Sequence, residues 1–248
     1  MAGGPVVLLH GWGGSFGSTF ERNGWPADLV AGGKSIIPID LPGHGEGSSQ
    51  DPASYTDLAG ALAALLPDGQ VDLIGYSLGA KLALELASRQ PERFGTIIVG
   101  GVGDNLFAPE ANGEAVAHAL VVGLPEDAPP PVRALVEYSR QSGADPNALA
   151  AVLRRTPNPI ADEARLRRIG ARILMVNGSR DGLAQPDTRL RTALNDPAHV
   201  LLEGVDHFAL PAEAGFRSAA IAFLNAGADL KAGEDQRQSK EHKRASAR

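Results

Sequence analysis

Six short aliphatic runs, separated by glycine-rich turns and stretches of helical spacing, constrain the fold of this chain more than any other feature. The runs lack strict alternation of polar and apolar residues, which is typical of strands buried on both faces of a parallel sheet. They span residues 5–10, 35–40, 71–75, 96–101, 172–178 and 199–204. This alternation predicts an α/β fold with a mostly parallel central sheet of about six strands and helices on both faces.

Four segments between or after the runs have helical spacing. The first, 54–69, is expected to have Ser54 as its N-cap and to end at Pro67 and Gly69. Its leucines share one stripe, which predicts a buried face. The stripe consists of Leu58, Leu62, Leu65 and Leu66. The other three segments are 78–91, 187–196 and 212–227.

Residues 104–165 interrupt the alternation, because they contain no run that predicts a strand. They hold a proline cluster at 125–131 and stretches that predict two to four short helices. A structureless connection of this length is uncommon in a compact domain. We therefore expect 104–165 to form a helical lid inserted into an α/β core made of 1–103 and 166–230. The charged remainder, 231–248, is expected to be a disordered tail.

The pentapeptide Gly75-Tyr76-Ser77-Leu78-Gly79 lies between a predicted strand and a predicted helix. A serine on such a turn adopts a strained backbone and exposes its hydroxyl, and side chains two residues away on either side would collide with it. The spacing alone is weak, because a chain with 30 glycines produces it by chance. The strand before it and the helix after it indicate that Ser77 is a nucleophile.

A serine hydroxyl needs a base to activate it, and the base needs an acid to orient it. Among six histidines, His207 is favoured because it lies in the loop between the last predicted strand and the final helix. His10 and His44 lie in glycine-rich turns, which favours a structural role for both. Of the others, His118 lies in the predicted lid, His199 at the start of a predicted strand and His242 in the tail.

The orienting acid is expected at the carboxyl end of a neighbouring strand. Asp181 lies a few residues after the fifth run, between Gly178 and Gly182. Asp104, which follows the fourth run, is a competing candidate. Asp206 is poorly placed, because adjacent residues seldom fold back into a base–acid hydrogen bond.

The order Ser77, Asp181, His207 resembles that of the α/β-hydrolase fold family. The resemblance covers residues 5 to about 226 and is carried by four motifs, "HGWGG", "DLPGHGEGS", "GYSLG" and "GSRDG" with "DHF". It implies a serine hydrolase that cleaves a carboxylic ester, lactone, thioester or amide without a cofactor or metal. It also implies an oxyanion hole made by the backbone N–H groups of Trp12 and Leu78. Members generally carry an antiparallel hairpin before the "HG" strand. We expect either a shortened, six-stranded member or a recorded start downstream of the true one.

The substrate pocket is expected over the carboxyl ends of the strands, under the lid. The apolar stretch 119–125, "ALVVGLP", is expected to roof it, which favours a small to medium, partly apolar substrate. The expected walls are Trp12, Phe16, Leu78, Phe107, Leu183 and Phe208.

Two other functions remain open at this point. The stretches "HGWGGS" and "GYSLGAK" are also similar to menaquinone-pathway lyases of this fold, which implies proton abstraction by the same three residues. Such lyases bind a polyanion through cations, and the candidates are Lys81, Arg133, Arg140, Arg154 and Arg155. The third function is that of a ligand receptor without catalysis, which the presence of serine, acid and histidine disfavours. A serine in place of an aspartate nucleophile argues against dehalogenase and epoxide hydrolase chemistry.

The composition excludes several classes of partner. A formal net charge of −6 argues against a nucleic-acid binder. The absence of cysteine excludes disulfides and thiolate catalysis. No apolar run reaches the ~18–20 residues of a membrane helix, and the N-terminus lacks a basic leader. The sequence thus predicts a cytoplasmic protein with a small-molecule, ester-like substrate, and it leaves the oligomeric state open.

Overall fold

The computed structural model describes residues 4–155 and 161–227, which form a six-stranded sheet in the order β2-β1-β3-β4-β5-β6. The strands are β1 (Val6–Leu9), β2 (Ile36–Ile39), β3 (Val71–Tyr76), β4 (Phe94–Gly100), β5 (Arg172–Gly178) and β6 (Ala198–Leu202). Neighbouring strands pair in parallel throughout. The predicted α/β fold with a parallel sheet is confirmed, and every predicted run coincides with a strand.

Helices cover both faces of the sheet. They are α1 (Trp25–Ala31), α2 (Leu58–Ala63), α3 (Leu78–Arg89), α4 (Gly113–Val122), α5 (Pro130–Ser139), α6 (Pro146–Arg154), α7 (Glu163–Leu166), α8 (Thr188–Ala193) and α9, whose described part spans 214–227. Shorter helical turns span Gly17–Glu21, Pro52–Tyr55, Pro91–Arg93, Asp104–Phe107 and Leu210–Ala212. No helix within the described ranges has both the length and the apolar character needed to cross a membrane.

The strands alternate between two cores, which explains why their sequences show no polar side. In β1, Val7 and Leu9 point into the core beneath α2 and α3, while Val6 and Leu8 point into the core beneath α1 and α9. All four residues are fully buried. Continuous aliphatic sequence is therefore what a strand at this position requires.

The expected helix over 54–69 was wrong in its extent and its cap. The structure has a short turn at Pro52–Tyr55, followed by α2. The N-cap is Asp57, whose carboxylate accepts the Gly60 N–H at 3.0 Å, and Ser54 belongs to the preceding turn. Because α2 ends at Ala63, Leu65 falls outside the helical stripe and is 54% exposed.

Helices α4 to α7 lie between β4 and β5 in the chain. Helix α4 packs against both α5 and α6. Buried residues of this segment, such as Val116 and Val152, belong to the same core as the sheet face beneath α2 and α3. The segment therefore shares its core with the sheet. Its action as a lid stays a prediction, and the expected tail at 231–248 lies outside the described residues.

Candidate active site

Ser77 lies at the sharp turn between β3 and α3. Its backbone has φ 53° and ψ −113°, a conformation that residues other than glycine rarely adopt. A Cβ on Gly75 would come within 2.7 Å of the backbone of Ala80, and one on Gly79 would strike the carbonyl of Leu9. The two glycines are thus required because α3 passes close to β3 and β1, a packing reason that adds to the turn itself.

Three side chains form a continuous hydrogen-bonded chain at the carboxyl edge of the sheet. Ser77 Oγ lies 3.0 Å from His207 Nε2, and His207 Nδ1 lies 2.8 Å from Asp181 Oδ2. The other oxygen of Asp181 accepts the N–H groups of Leu183 (3.0 Å) and Ala184 (2.9 Å). Because the carboxylate can only accept, Nδ1 of His207 carries the proton, and Nε2 is left to accept from Ser77.

The competing acids are engaged elsewhere. Asp104 accepts the Leu190 N–H at 2.9 Å, at the start of α8. Asp206 accepts the Ala209 N–H at 2.9 Å, within its own loop. The structure therefore brings Asp181, and neither of these two, to His207.

Tyr76 holds the loop that carries His207, a role that sequence reasoning missed. Its hydroxyl donates to the carbonyl of His207 at 2.8 Å, and its ring centroid lies 5.2 Å from the imidazole. Burial raises the pKa of the Tyr76 phenol well above its ordinary value, so the hydroxyl stays a donor. The aromatic residue directly before Ser77 was the only sequence signal for this role. The local sequence does not indicate that its hydroxyl contacts His207, a residue 131 positions away.

Replacing Tyr76 by phenylalanine is expected to lower kcat by about 10- to 100-fold, because the His207 loop loses its anchor. It should also cost about 1–3 kcal/mol of stability, since a buried carbonyl is left unpaired. Tyr138→Phe is the matched control, because the Tyr138 hydroxyl lies 3.4 Å from the Thr19 hydroxyl and makes no hydrogen bond to the His207 loop. Rates and thermal melts of both variants test this. An unchanged kcat for Tyr76→Phe would contradict the anchoring role.

Two buried histidines brace the loop that follows β1. His10 Nε2 accepts the Leu41 N–H at 2.9 Å, and His44 Nε2 accepts the Gly13 N–H at 3.0 Å. Both rings must be neutral to accept. Burial lowers the pKa of His10 to about 4 and, with added repulsion from His10, that of His44 to about 3.

Stability is therefore expected to fall in acid. Each ring takes a proton in the unfolded chain below about pH 6.5, while the folded protein resists protonation until about pH 3 at His44. The free energy of unfolding therefore begins to fall when the pH drops below the pKa of these histidines in the unfolded chain, and it does not fall above that pH. At pH 5 the lowered pKa of His44 reduces the free energy of unfolding by about 2 kcal/mol relative to pH 7. His44→Gln keeps an acceptor but removes the titration, so its stability should drop less between pH 7 and pH 5.

The measurement is urea unfolding at both pH values. His118→Gln on the exposed face of α4 is the control, and it should show the wild-type drop. An equal drop in His44→Gln would contradict the assignment.

The backbone N–H groups of Trp12 and Leu78 have no protein acceptor among the described residues. Leu78 is the first residue of α3, where the helix leaves its N–H groups unpaired and the dipole favours negative charge. Both residues line the same pocket as Ser77 and His207. Two free donors beside a serine hydroxyl are what a developing oxyanion requires.

The pocket at Ser77 encloses about 460 Å³. Of the expected walls, Trp12, Leu78 and Leu183 line it. The other three lie elsewhere. Phe16 lines a separate groove with Asp40 and His44, Phe107 packs under the Arg189 guanidinium at 4.1 Å, and Phe208 packs against Tyr138 with ring centroids 5.4 Å apart.

Helices α4, α5 and α6 contribute the apolar part of the pocket, through residues that differ from those expected. The lining residues are Val116, Pro131, Leu135 and Leu153. None of residues 119–125 lines this pocket, and Val122 is 71% exposed. The pocket has a second, charged end at Lys81 and Glu110, and Glu110 was missed because a single acid before a helix carries no local signal.

Of the five cations named from the sequence, Lys81 alone lines this pocket. Arg155 lies behind it in an adjoining cleft. The other three are placed differently. Arg133 donates to the carbonyl of Glu126, Arg154 pairs with Glu114 at 2.7 Å, and Arg140 is exposed. Among the described residues, no three His, Asp or Glu side chains are grouped so as to hold a metal ion.

Comparison with known proteins gives partial matches to curated sequences. The biotin biosynthesis bifunctional protein BioHC of Teredinibacter turnerae is 37% identical over 99 residues, which are 38% of this chain and 16% of that protein. The pimeloyl-[acyl-carrier protein] methyl ester esterase of Neisseria meningitidis serogroup C is 33% identical over 117 residues, 45% of this chain and 42% of that protein. The chain thus spans less than half the length of either relative.

Comparison with solved structures and with family models extends over most of the chain. MenH from S. aureus superposes with a TM-score of 0.69 at 21% identity, covering 90% of this chain and 94% of that one. At that identity the likeness shows the fold alone. A model described as the alpha/beta hydrolase family matches residues 6–220. The chain therefore belongs to the α/β hydrolase family, as the four sequence motifs predict.

Proposed function

We propose that this protein is a serine hydrolase that cleaves a carboxylic ester through an acyl-enzyme on Ser77. The observation that carries the proposal is the unbroken hydrogen-bonded chain from Ser77 through His207 to Asp181, which opens on the pocket beside two free backbone donors. Nucleophile, base and orienting acid in this geometry are what acyl transfer needs.

In the acylation step, Ser77 Oγ attacks the ester carbonyl carbon while its proton passes to His207 Nε2. The carbonyl oxygen becomes negatively charged and is stabilised by the N–H groups of Trp12 and Leu78. The tetrahedral intermediate collapses, the bond to the alkoxy oxygen breaks, and the alcohol leaves with the proton held by His207. Asp181 stays ionised and stabilises the imidazolium between the two transfers.

In the deacylation step, His207 Nε2 takes a proton from water, and the resulting hydroxide attacks the acyl carbon. The bond to Ser77 Oγ breaks, and His207 returns its proton to that oxygen. The products are one acid and one alcohol from one ester and one water. A lactone, a thioester or an amide would follow the same two steps with a different leaving atom.

The relatives support ester hydrolysis over other uses of the fold. The relative from N. meningitidis is named as a methyl ester esterase. A pocket of about 460 Å³ fits a small to medium substrate. Val116, Pro131, Leu135 and Leu153 cover it from α4, α5 and α6, which supports a lid role for this segment.

A lyase that uses the same three residues for proton abstraction is the second candidate, and the place of Lys81 in the pocket favours it. A polyanion needs several cations, whereas Arg133, Arg140 and Arg154 do not line this pocket. A receptor without catalysis has no need for the intact chain Ser77–His207–Asp181. Both alternatives are therefore weaker than ester hydrolysis.

The first test is the initial rate on p-nitrophenyl acetate, butyrate and octanoate, with Ser77→Ala assayed in parallel. We expect the wild-type protein to turn over these esters, and the dependence of the rate on chain length measures how much acyl chain the pocket of about 460 Å³ accommodates. If no ester is hydrolysed faster in the presence of the wild-type protein than by Ser77→Ala, the proposal fails.

A further inference from the structure

A buried asparagine interrupts the aliphatic run of β5, and the proposed reaction gives it no role. Asn177 is the last residue but one of that strand and is fully buried. The four residues before it, from Ile173 to Val176, are apolar and buried. Burying a carboxamide costs free energy unless its polar atoms are hydrogen-bonded. Its partners therefore indicate what Asn177 does.

The carboxamide of Asn177 makes four hydrogen bonds. Its Oδ1 accepts the N–H groups of Gly101 at 3.0 Å and Val102 at 3.3 Å. Its Nδ2 donates to the Val102 carbonyl at 3.0 Å and to Asp187 Oδ2 at 3.2 Å. A carboxamide offers one oxygen acceptor and two N–H donors, whereas an ionised carboxylate only accepts and an aliphatic side chain does neither. An asparagine is thus required to hold all four groups at once.

The turn held by these hydrogen bonds, residues 100–102, contacts both Ser77 and His207. We call it the β4 turn, because it follows β4. The Gly100 carbonyl accepts the Ser77 N–H at 2.9 Å. Gly101 has φ 66°, and a Cβ added to it would come within 3.0 Å of His207 Cε1 and 3.2 Å of His207 Nδ1. The backbone of Gly101 therefore lies directly against one edge of the imidazole.

The fourth partner of Asn177 belongs to the loop that carries Asp181. The Gln185 N–H donates to the Asp181 carbonyl at 3.0 Å, and Asp187 follows two residues later. The carboxylate of Asp187 is buried, with Oδ2 3.1 Å from Nε2 of His199 on β6. One carboxamide therefore joins the turn behind the imidazole to the loop that holds the acid.

We infer that Asn177 is a positioning residue for the proposed reaction, because it fixes the β4 turn against His207 and so keeps Nε2 within reach of Ser77. Two hydrogen bonds hold the ring before the reaction, one to Ser77 and one to Asp181. The first is lost once Ser77 carries the acyl group. The ring then depends on Asp181 and on the turn behind it. A displacement of about 1 Å near the reacting atoms lowers a rate by about a hundredfold. The inference rests on the proposed function of Ser77.

The kinetic test is Asn177→Leu, which keeps most of the volume and removes all four hydrogen bonds. The kcat on p-nitrophenyl butyrate should fall by about 10- to 100-fold. KM should stay within about threefold of wild type, because Asn177 does not line the pocket at Ser77.

Asp72→Leu is the matched control, since it also removes a buried polar side chain from the sheet. The native carboxylate accepts the Thr96 N–H at 2.7 Å, near the end of β3 that is farther from Ser77. This variant should lower the melting temperature but keep the wild-type kcat. An equal fall of kcat in both leucine variants would overturn the inference, because a general loss of stability would explain it.

A proton NMR measurement reports the position of His207 without turnover. The proton that His207 Nδ1 shares with Asp181 should give a signal far downfield, because a short hydrogen bond to a carboxylate deshields it. We expect Asn177→Leu to shift this signal or broaden it, and Asp72→Leu to leave it unchanged.

Asn177→Ser replaces the leucine variant if that variant does not fold, because the space it leaves admits a water that can satisfy the freed groups. Its kcat should fall by about tenfold. An unchanged signal or a wild-type kcat in the folded Asn177 variant would overturn the positioning role, and hydrolysis by the wild-type protein would keep the proposed function. A signal that moves in the Asn177 variant, in a protein whose wild type hydrolyses no ester, would support the positioning of His207 and overturn the proposed function.

Discussion

Replacing Ser77 by alanine is expected to lower kcat/KM for p-nitrophenyl butyrate by at least about 10⁴-fold. The substitution removes the oxygen on which the proposed acyl-enzyme forms, and His207 is left without a proton to accept from it. Residual activity would come from the N–H groups of Trp12 and Leu78, which can still stabilise an oxyanion formed by attack of water.

Stability should hardly change in Ser77→Ala. Alanine has the same Cβ, so the strained φ of 53° is neither relieved nor worsened. The native hydroxyl makes no capping hydrogen bond to α3, so the substitution removes only the contact of Ser77 with His207. A melting temperature close to the wild-type value would therefore assign the loss of rate to chemistry.

The control is Ser139→Ala, which removes another buried hydroxyl, one that donates to Val136 within α5. It should keep wild-type kcat/KM, and a fluorophosphonate probe should label it but not Ser77→Ala. Labelling of Ser77→Ala, or a rate within a hundredfold of wild type, would place the nucleophile elsewhere.

The sheet could be predicted because each strand carries its own signal. A buried strand in a parallel sheet needs aliphatic residues on both faces, and runs such as 172–178 show this without any knowledge of their neighbours. Helix α2 shows the limit, because Asp57 and Ser54 are both possible N-caps, and the cap is the residue whose side-chain oxygen reaches a free N–H of the helix. Local pattern therefore fixes the type of an element better than its ends.

The positions of Ser77, Asp181 and His207 could also be predicted, since each follows a strand of one parallel sheet. The carboxyl ends of β3, β5 and β6 lie along the same edge, so residues distant in sequence converge there. The pocket could not be predicted in this way. Glu110 and Phe107 lie in the same segment, but one faces the pocket and the other packs under Arg189, a difference decided by contacts with residues far along the chain.

Replacing Asp181 by asparagine is expected to lower kcat by about 10³- to 10⁴-fold, with a smaller effect on KM. The native carboxylate accepts three N–H groups, one from His207 and two from the backbone of Leu183 and Ala184. An asparagine offers one oxygen and one NH₂ group, so it cannot satisfy all three donors.

Both orientations of the asparagine side chain impair the site. If its oxygen takes the backbone N–H groups, its NH₂ faces Nδ1 of His207 and forces the proton to Nε2, which can then no longer accept from Ser77. If its oxygen instead faces His207, the NH₂ opposes the two backbone N–H groups and strains the turn after β5. The first orientation lowers kcat without loss of stability, whereas the second lowers the melting temperature as well, so a thermal melt distinguishes them.

Asp206→Asn and Asp104→Asn are the matched controls, because each native carboxylate accepts a single backbone N–H that an asparagine oxygen can also accept. Both should keep the wild-type kcat on p-nitrophenyl butyrate, including Asp206→Asn directly beside the histidine. A loss confined to Asp181→Asn would assign the orienting role by chemistry and not by proximity in sequence. The opposite result would be a loss of similar size in Asp104→Asn while the kcat of Asp181→Asn stays within tenfold of wild type. It would mean that Asp104, the acid after β4, orients His207 during turnover. The hydrogen bonds of Asp181 would then only stabilise its own turn.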